Sequence, residues 1–253
     1  MDLSAPLPGA VGLSHISACP WPAADGRCGG SPHVHLACTE AYITTGGTGA
    51  VQTLTPGGFE ETFLEPGIVV WFTPGTVHRM IDGSGLRVTV LMQNSGLPEA
   101  GDAVFTFPPE ILADPARYAA EAALPAREGP AAGKAARRRR DLAVEGYLDL
   151  SAALRAGDAG PLREFHRAAA RLVAPKAEAW RERWRTGALE AARTTGRHLD
   201  ALVRADPSHL GRAVVRSTGP TRTGGYGMCG RRAEYEVPGA TLPYHGESGD
   251  ASP

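Results

Sequence analysis

His33 and His35 stand two residues apart in PHVHLACTEAYITTGG, Glu40 follows five residues later, and His78 lies in FTPGTVHRMID. In a strand, side chains alternate faces, so residues i and i+2 point the same way. Two imidazoles at that spacing can converge on one ion. Glu40 joins them only if the chain bends before the next strand, and antiparallel pairing can bring the remote His78 alongside. Three imidazoles and one carboxylate form a borderline-to-hard donor set. That set suits one divalent transition metal ion (Fe, Mn, Zn, Ni or Co) better than calcium or magnesium. An octahedral ion held by four protein donors keeps two positions for water, substrate or oxygen, which a catalytic centre requires and a structural one does not.

Counting by two from Glu40 puts Tyr42 and Thr44 on its face. Tyr42 could hydrogen-bond a substrate or a metal-bound water, lining of the interior being its plainer role. Cys38, in the bend, suggests thiol chemistry, although a buried structural cysteine is commoner. Gln93 and Asn94 end LRVTVLMQN, where a polar side chain can orient a ligand. Tyr42, Cys38 and Gln93 are thus the pocket candidates. Met80 shares the face of His78 and fills core, whereas Arg79 points away, toward solvent. Trp71 and Phe72 read as core or interface residues. His15 and His245 are lone histidines with structural or exposed roles.

These residues need elements to hold them. Residues 1–30 are rich in Pro and Gly and read as an irregular arm, with one short strand near Val11 to Ile16. From Pro32 to Thr106, β-prone runs (AYITT, AVQTL, ETFL, GIVVWF, LRVTVLM, AVFTF) alternate with Gly and Pro turns, the pattern of a sandwich or barrel. Asp82-Gly83 reads as a tight hairpin turn. The barrel with its following helix spans 31–124, and Asp114-Pro115 supplies a helix cap and a first-turn proline. Residues 125–140, PAREGPAAGKAARRRR, read as a linker. A mainly helical region fills 141–253, with one helix from Lys176 to Arg204 carrying Trp180 and Trp184 on one face. AVVRST and AEYEV are strand candidates near the end. The fold class expected is α+β.

The stretch from about Gly29 to Asn94 resembles the cupin superfamily. Its first motif, G-x5-HxH-x3-4-E-x6-G, is matched by His33, His35, Glu40 and Gly47, and its second, G-x5-PxG-x2-H-x3-N, by Gly67, Gly75 and His78. Arg27 replaces the first glycine, Thr73 the proline and Asp82 the final asparagine. These positions shape turns, and the four ligand positions keep ligand-type residues. The resemblance implies a cupin-type β-barrel (double-stranded β-helix or jelly roll). It also implies metal ligation by His33, His35, Glu40 and His78, and pairing as a homodimer, with the C-terminal helices as the alternative cover for open sheet edges.

Composition narrows the classes further. A formal net charge of −1 over 253 residues gives no global attraction to nucleic acid or to acidic membranes. The basic run Arg137 to Arg140 comes without any nucleic-acid-binding motif, so it reads as a solvated linker and no nucleic-acid partner is expected. No apolar run is long enough to span a bilayer, and no basic segment followed by an apolar one opens the chain. Cys19, Cys28, Cys38 and Cys229 form no CxxC pair, which fits reduced thiols in the cytoplasm. Three functions remain. The favoured one is a metalloenzyme acting on a small polar molecule (sugar-like, or carrying a carbonyl or carboxylate), and FTPGTVHR, which looks like the same stretch of sugar-phosphate isomerase and epimerase-type cupins, implies that reaction type. The others are an Fe(II)-dependent dioxygenase and a non-catalytic small-molecule-binding or sensing cupin.

Overall fold

In the computed structural model, residues 6–125 and 129–235 are described. The fold is α+β, as the sequence implies. An antiparallel sheet system is built from β1 (Gly12–Ala18), β2 (Cys28–Gly29), β3 (His33–His35), β4 (Glu40–Thr55), β5 (Gly58–Leu64), β6 (Val69–Phe72), β7 (Val77–Met92) and β8 (Ala103–Phe105). Helices α1 (Pro109–Leu112), α2 (Pro115–Ala122), α3 (Pro130–Arg155), α4 (Gly160–Val173), α5 (Ala177–Trp184) and α6 (Glu190–Val203) follow, before a last hairpin of β9 (Arg222–Tyr226) and β10 (Gly230–Glu234).

The frame is the pairing of two 16-residue strands, β4 and β7, in register from Glu40 opposite Met92 to Leu54 opposite Val77. Register shifts between Thr44 and Gly49 bend the pair midway. Each half then serves different neighbours. The first half of β4 takes β6 and the second takes β5; the first half of β7 takes β2 and β3 and the second takes β1. Glycine permits the bend. Gly47 has φ 66°, and a Cβ there would stand 2.2 Å from the carbonyl oxygen of Gly85. Asp82-Gly83 is therefore not a hairpin turn but an interior point of β7. The Asp82 carboxylate accepts from Leu86 N at 2.8 Å, closing the bulge locally.

The segment expected to be a linker at 125–140 is corrected over 130–140, which forms the first turns of α3. Alanine, lysine and arginine are strong helix formers, and Pro130 suits the first helical position. Of the arginines, Arg137 and Arg138 are exposed as expected, but Arg139 and Arg140 are not. Arg140 donates to Trp21 O at 2.6 Å and Pro22 O at 3.1 Å, and Arg139 donates to Gly227 O at 2.8 Å and covers the Phe105 ring. Both are buried. Composition alone misses that a guanidinium can be satisfied by backbone carbonyls. Asp114 caps α2 as expected, accepting from Ala116 N and Arg117 N. The helix expected over 176–204 is interrupted by a π turn at Arg185–Leu189. AVVRST is not a strand: residues 213–220 carry no helix or strand, and the strand falls later, at β9. AEYEV is strand only to Glu234, Tyr235 follows outside the strand, and residues 236 and 237, with His245, lie outside the described residues. The arm at 1–30 contributes β1 and β2 to the sheet.

One apolar cluster joins the two halves: Val51, Leu54, Leu64 and Met80 of the barrel are continuous with Tyr147 and Leu150 of α3 and with Leu162 and Phe165 of α4. No helix among the described residues is long and apolar enough to cross a membrane.

Arg79 also departs from expectation. It points away from the histidines yet is 1% exposed, gripping Asp25 through contacts of 2.6 and 3.1 Å. Burial pushes the Asp25 carboxyl up, but the Arg79 guanidinium outweighs it and holds the group below its ordinary value. A lowered carboxylate stabilises the fold above the ordinary carboxylate range, and that contribution is lost as pH falls below it. Asp25→Asn strands a buried cation and should cost about 3 kcal/mol in urea denaturation. The double variant Asp25→Asn/Arg79→Met should recover most of that loss.

Candidate metal centre

Strand register brings the four residues together. His33 lies directly opposite His78 in the β3–β7 pair, with Phe105 of β8 on its other side. His35 shares the inward face of His33. Glu40 opens β4, opposite Phe72 of β6 and Met92 of β7. Ligand-type atoms of His33, His35, Glu40 and His78 all lie within 4.8 Å of one another, so the group could hold a metal ion. The residues are 1%, 5%, 4% and 0% exposed.

The bend that aims Glu40 back at the histidines is made by Asp102, a residue that sequence reasoning misses. Its Oδ1 accepts from Leu36 N at 3.0 Å and Ala37 N at 2.7 Å, turning the chain after β3. Its Oδ2 lies 3.0 Å from His35 Nδ1. One fully buried carboxylate thus shapes the loop and orients a ligand. An aspartate before a short strand carries no periodic cue, because its partners come from a distant part of the chain.

Hydrogen-bond partners assign the tautomers. His33 Nδ1 donates to Ser31 O at 2.8 Å, His78 Nδ1 to Thr76 O at 3.2 Å, and His35 Nδ1 to Asp102. Each Nδ1 has an acceptor, so each Nε2 turns toward the centre. His78 Nε2 stands 3.0 Å from His33 Nε2, and Glu40 Oε2 stands 3.0 Å from His78 Nε2 and 3.4 Å from His35 Nε2. Two lone-pair nitrogens at that separation repel, and Glu40 Oε2 is buried without a well-formed hydrogen bond despite its neighbours. Lone pairs converging from four side chains, each imidazole braced at its far nitrogen, fit a cation at their common focus.

Electrostatics favours a neutral His33, and a bound cation would displace the proton that the carboxylates favour on His35. Burial pushes His33 well below its ordinary pKa, and the His78 and His35 imidazoles add to the shift. Burial opposes charge on His35 too, but Asp102 and Glu40 outweigh it and hold the group up to about 9. Burial raises Glu40 toward its neutral form, yet His78 and His35 keep it below the usual carboxylate range.

The pocket candidates separate. Tyr42 is fully buried with its ring 6.1 Å from that of His78, edge to face, and its hydroxyl lies 3.1 Å from Cys229 Sγ. Burial pushes the Tyr42 phenol well above its ordinary value. Cys38 is buried beside Asn94 and Asp102, and burial pushes its thiol far up, so it is a protonated thiol and not a nucleophile. Gln93 is not brought to the cluster: it is exposed, and its side-chain oxygen accepts from Thr39 N. Phe72 packs 4.2 Å from the His78 ring, whereas Trp71 is 68% exposed. Cys229, like Asp102, has no signal in its neighbourhood of sequence; only the return of β10 to β1 brings it here.

No family model matches the chain, and no curated protein matches it. Among solved structures, the chain is similar to the WlaRB TDP-quinovose 3,4-ketoisomerase from Campylobacter jejuni, with 16% identity over 32% of this chain and 60% of that one, at a TM-score of 0.28. It is also similar to an uncharacterized conserved protein with a double-stranded β-helix domain from Klebsiella pneumoniae (19% identity, 33% and 64% coverage, TM-score 0.26). A third is a predicted oxalate decarboxylase from Thermotoga maritima (15%, 32% and 61%, TM-score 0.25). The chain spans about 60% of the ketoisomerase's length. Each likeness covers about a third of this chain.

Replacing Asp102 tests its double role. Asp102→Ala removes the acceptor of two backbone N–H groups and should cost about 2–4 kcal/mol in denaturant unfolding. In metal-free Asp102→Asn, His35 should titrate well below about 9 by NMR. A raised histidine stabilises the fold below its ordinary pKa and stops doing so as pH rises through the folded value. The wild type should therefore lose that contribution between roughly pH 6.5 and 9, and the variant at lower pH.

Proposed function

We propose that this chain is a divalent-metal-binding cupin enzyme, with His33, His35, Glu40 and His78 as the ligands of one transition metal ion. Its substrate is a small polar molecule, sugar-like or carrying a carbonyl or carboxylate, and its reaction is of isomerase or epimerase type. The observation that carries this reading is the convergence of three Nε2 lone pairs and one unsatisfied carboxylate oxygen in a buried site. When bound, the ion supplies Lewis acidity, polarising an oxygen of the substrate.

The chain's own residues supply the rest. Ser31 O, Thr76 O and Asp102 fix the imidazoles so that little reorganisation is needed on binding. Phe72 and Phe105 exclude water around His78 and His33. Tyr42, kept protonated by burial and with its ring beside that of His78, is the hydrogen-bond donor on the inward face.

Elemental analysis of purified protein should find close to one metal ion per chain, with His33→Ala and His78→Ala both losing it. Full retention in both variants would remove the assignment. Turnover of candidate hydroxy-ketones should proceed with Mn(II) or Zn(II) in the absence of oxygen. Obligatory oxygen consumption with Fe(II) would instead identify an oxygenase.

A further inference from the structure

The four ligand residues are 5% exposed or less, so a small molecule reaches them only if something moves. One candidate stands out among the elements around them. The β9–β10 hairpin holds Cys229 in its turn and places that side chain against Tyr42. The hairpin is an addition to a sheet edge. β10 pairs with β1 over Ser14–Ala18, and β9 pairs only with β10 among the described residues. Contacts at its tip include Ser31 N donating to Met228 O at 2.7 Å and the Arg139 guanidinium donating to Gly227 O at 2.8 Å, while Tyr226 packs against the Trp21 ring. The chain leading into it, 213–220, has no helix or strand, and Val214 and Val215 are 66% and 98% exposed. An edge pair on an exposed tether belongs to the parts of a fold that open at low cost.

We propose that the β9–β10 hairpin is a lid over the metal centre and that Cys229 is its latch. Closed, the Cys229 thiol engages the Tyr42 hydroxyl. Open, the hairpin peels from β1, the hydroxyl is released, and Tyr42 and the ligand cluster face the entering molecule together. The hairpin thus sets the rate of entry to the centre. The idea rests on the metal reading above for its purpose, though not for its geometry.

Two variants move the lid in opposite directions. His15 and Ala233 are directly opposite in the β1–β10 ladder, so His15→Cys/Ala233→Cys can be oxidised to pin the hairpin shut. A Cβ at Gly30 would stand 2.6 Å from Cys229 Cα, so Gly30→Ala prises the tip away. Two rates are read on protein loaded with Zn(II): alkylation of Cys229 by iodoacetamide, mapped by peptide mass spectrometry, and extraction of the metal by EDTA. Both should slow by about tenfold or more in the oxidised pair relative to the same protein reduced and desalted, and both should quicken in Gly30→Ala. Equal alkylation rates in the oxidised and reduced forms would overturn the lid. The alkylation arm needs no metal, so a chain that binds none would refute the metal centre while leaving the lid to be judged separately.

Discussion

The pairing of β4 with β7 is the constraint on which the molecule depends. Each strand is too long to be flat, and the pair bends where β4 has Gly47 and Gly49, glycines that leave no room for a side chain. The bend lets one ribbon contribute to two groups of neighbours, which closes the interior. It also sets distances at the centre. His78 is near the start of β7 and Glu40 is the first residue of β4, yet the two meet because the ribbon folds over and β3 lies along the first half of β7. A slip of one residue would send His33 or Glu40 to the outer face.

Much of this was legible in the sequence, for reasons that can be stated. The histidines and Glu40 announce themselves because ligand type and spacing coincide with strand parity. The inward set Glu40, Tyr42 and Thr44 follows from the same parity, and all three are buried. What escaped was whatever depended on distant partners. Asp102 is unremarkable in GDAVF, and its meaning comes from Leu36, Ala37 and His35. Arg79 looked like a surface charge because Asp25, its partner, lies in an arm with no periodicity. Asp82-Gly83 has the composition of a turn, but the bulge used the same residues without ending the strand. Gln93 failed as a pocket residue because the strand end turns it outward onto Thr39.

The arginines of α3 show how the helical half is more than a cover. Through Arg140 the helix holds the N-terminal arm at Trp21 and Pro22, and through Arg139 it holds the C-terminal hairpin at Gly227. Each guanidinium is planar, permanently charged and rich in donors, so it can serve carbonyls that no strand satisfies. Lysine in either place would present a single point of charge and leave some of those carbonyls unmet. The helix thereby contacts both segments through side chain to backbone hydrogen bonds.

The β1–β10 pairing has a consequence for how the chain comes to be folded. β1 is synthesised well before β10, the strand that covers its outer edge. Until then β1 presents unpaired amides and carbonyls, a template for association between nascent chains. Closing that edge brings together distant parts of the chain, the kind of non-local step that is slow. The open edge of β1 therefore lasts until β10 has been made and has folded back onto it.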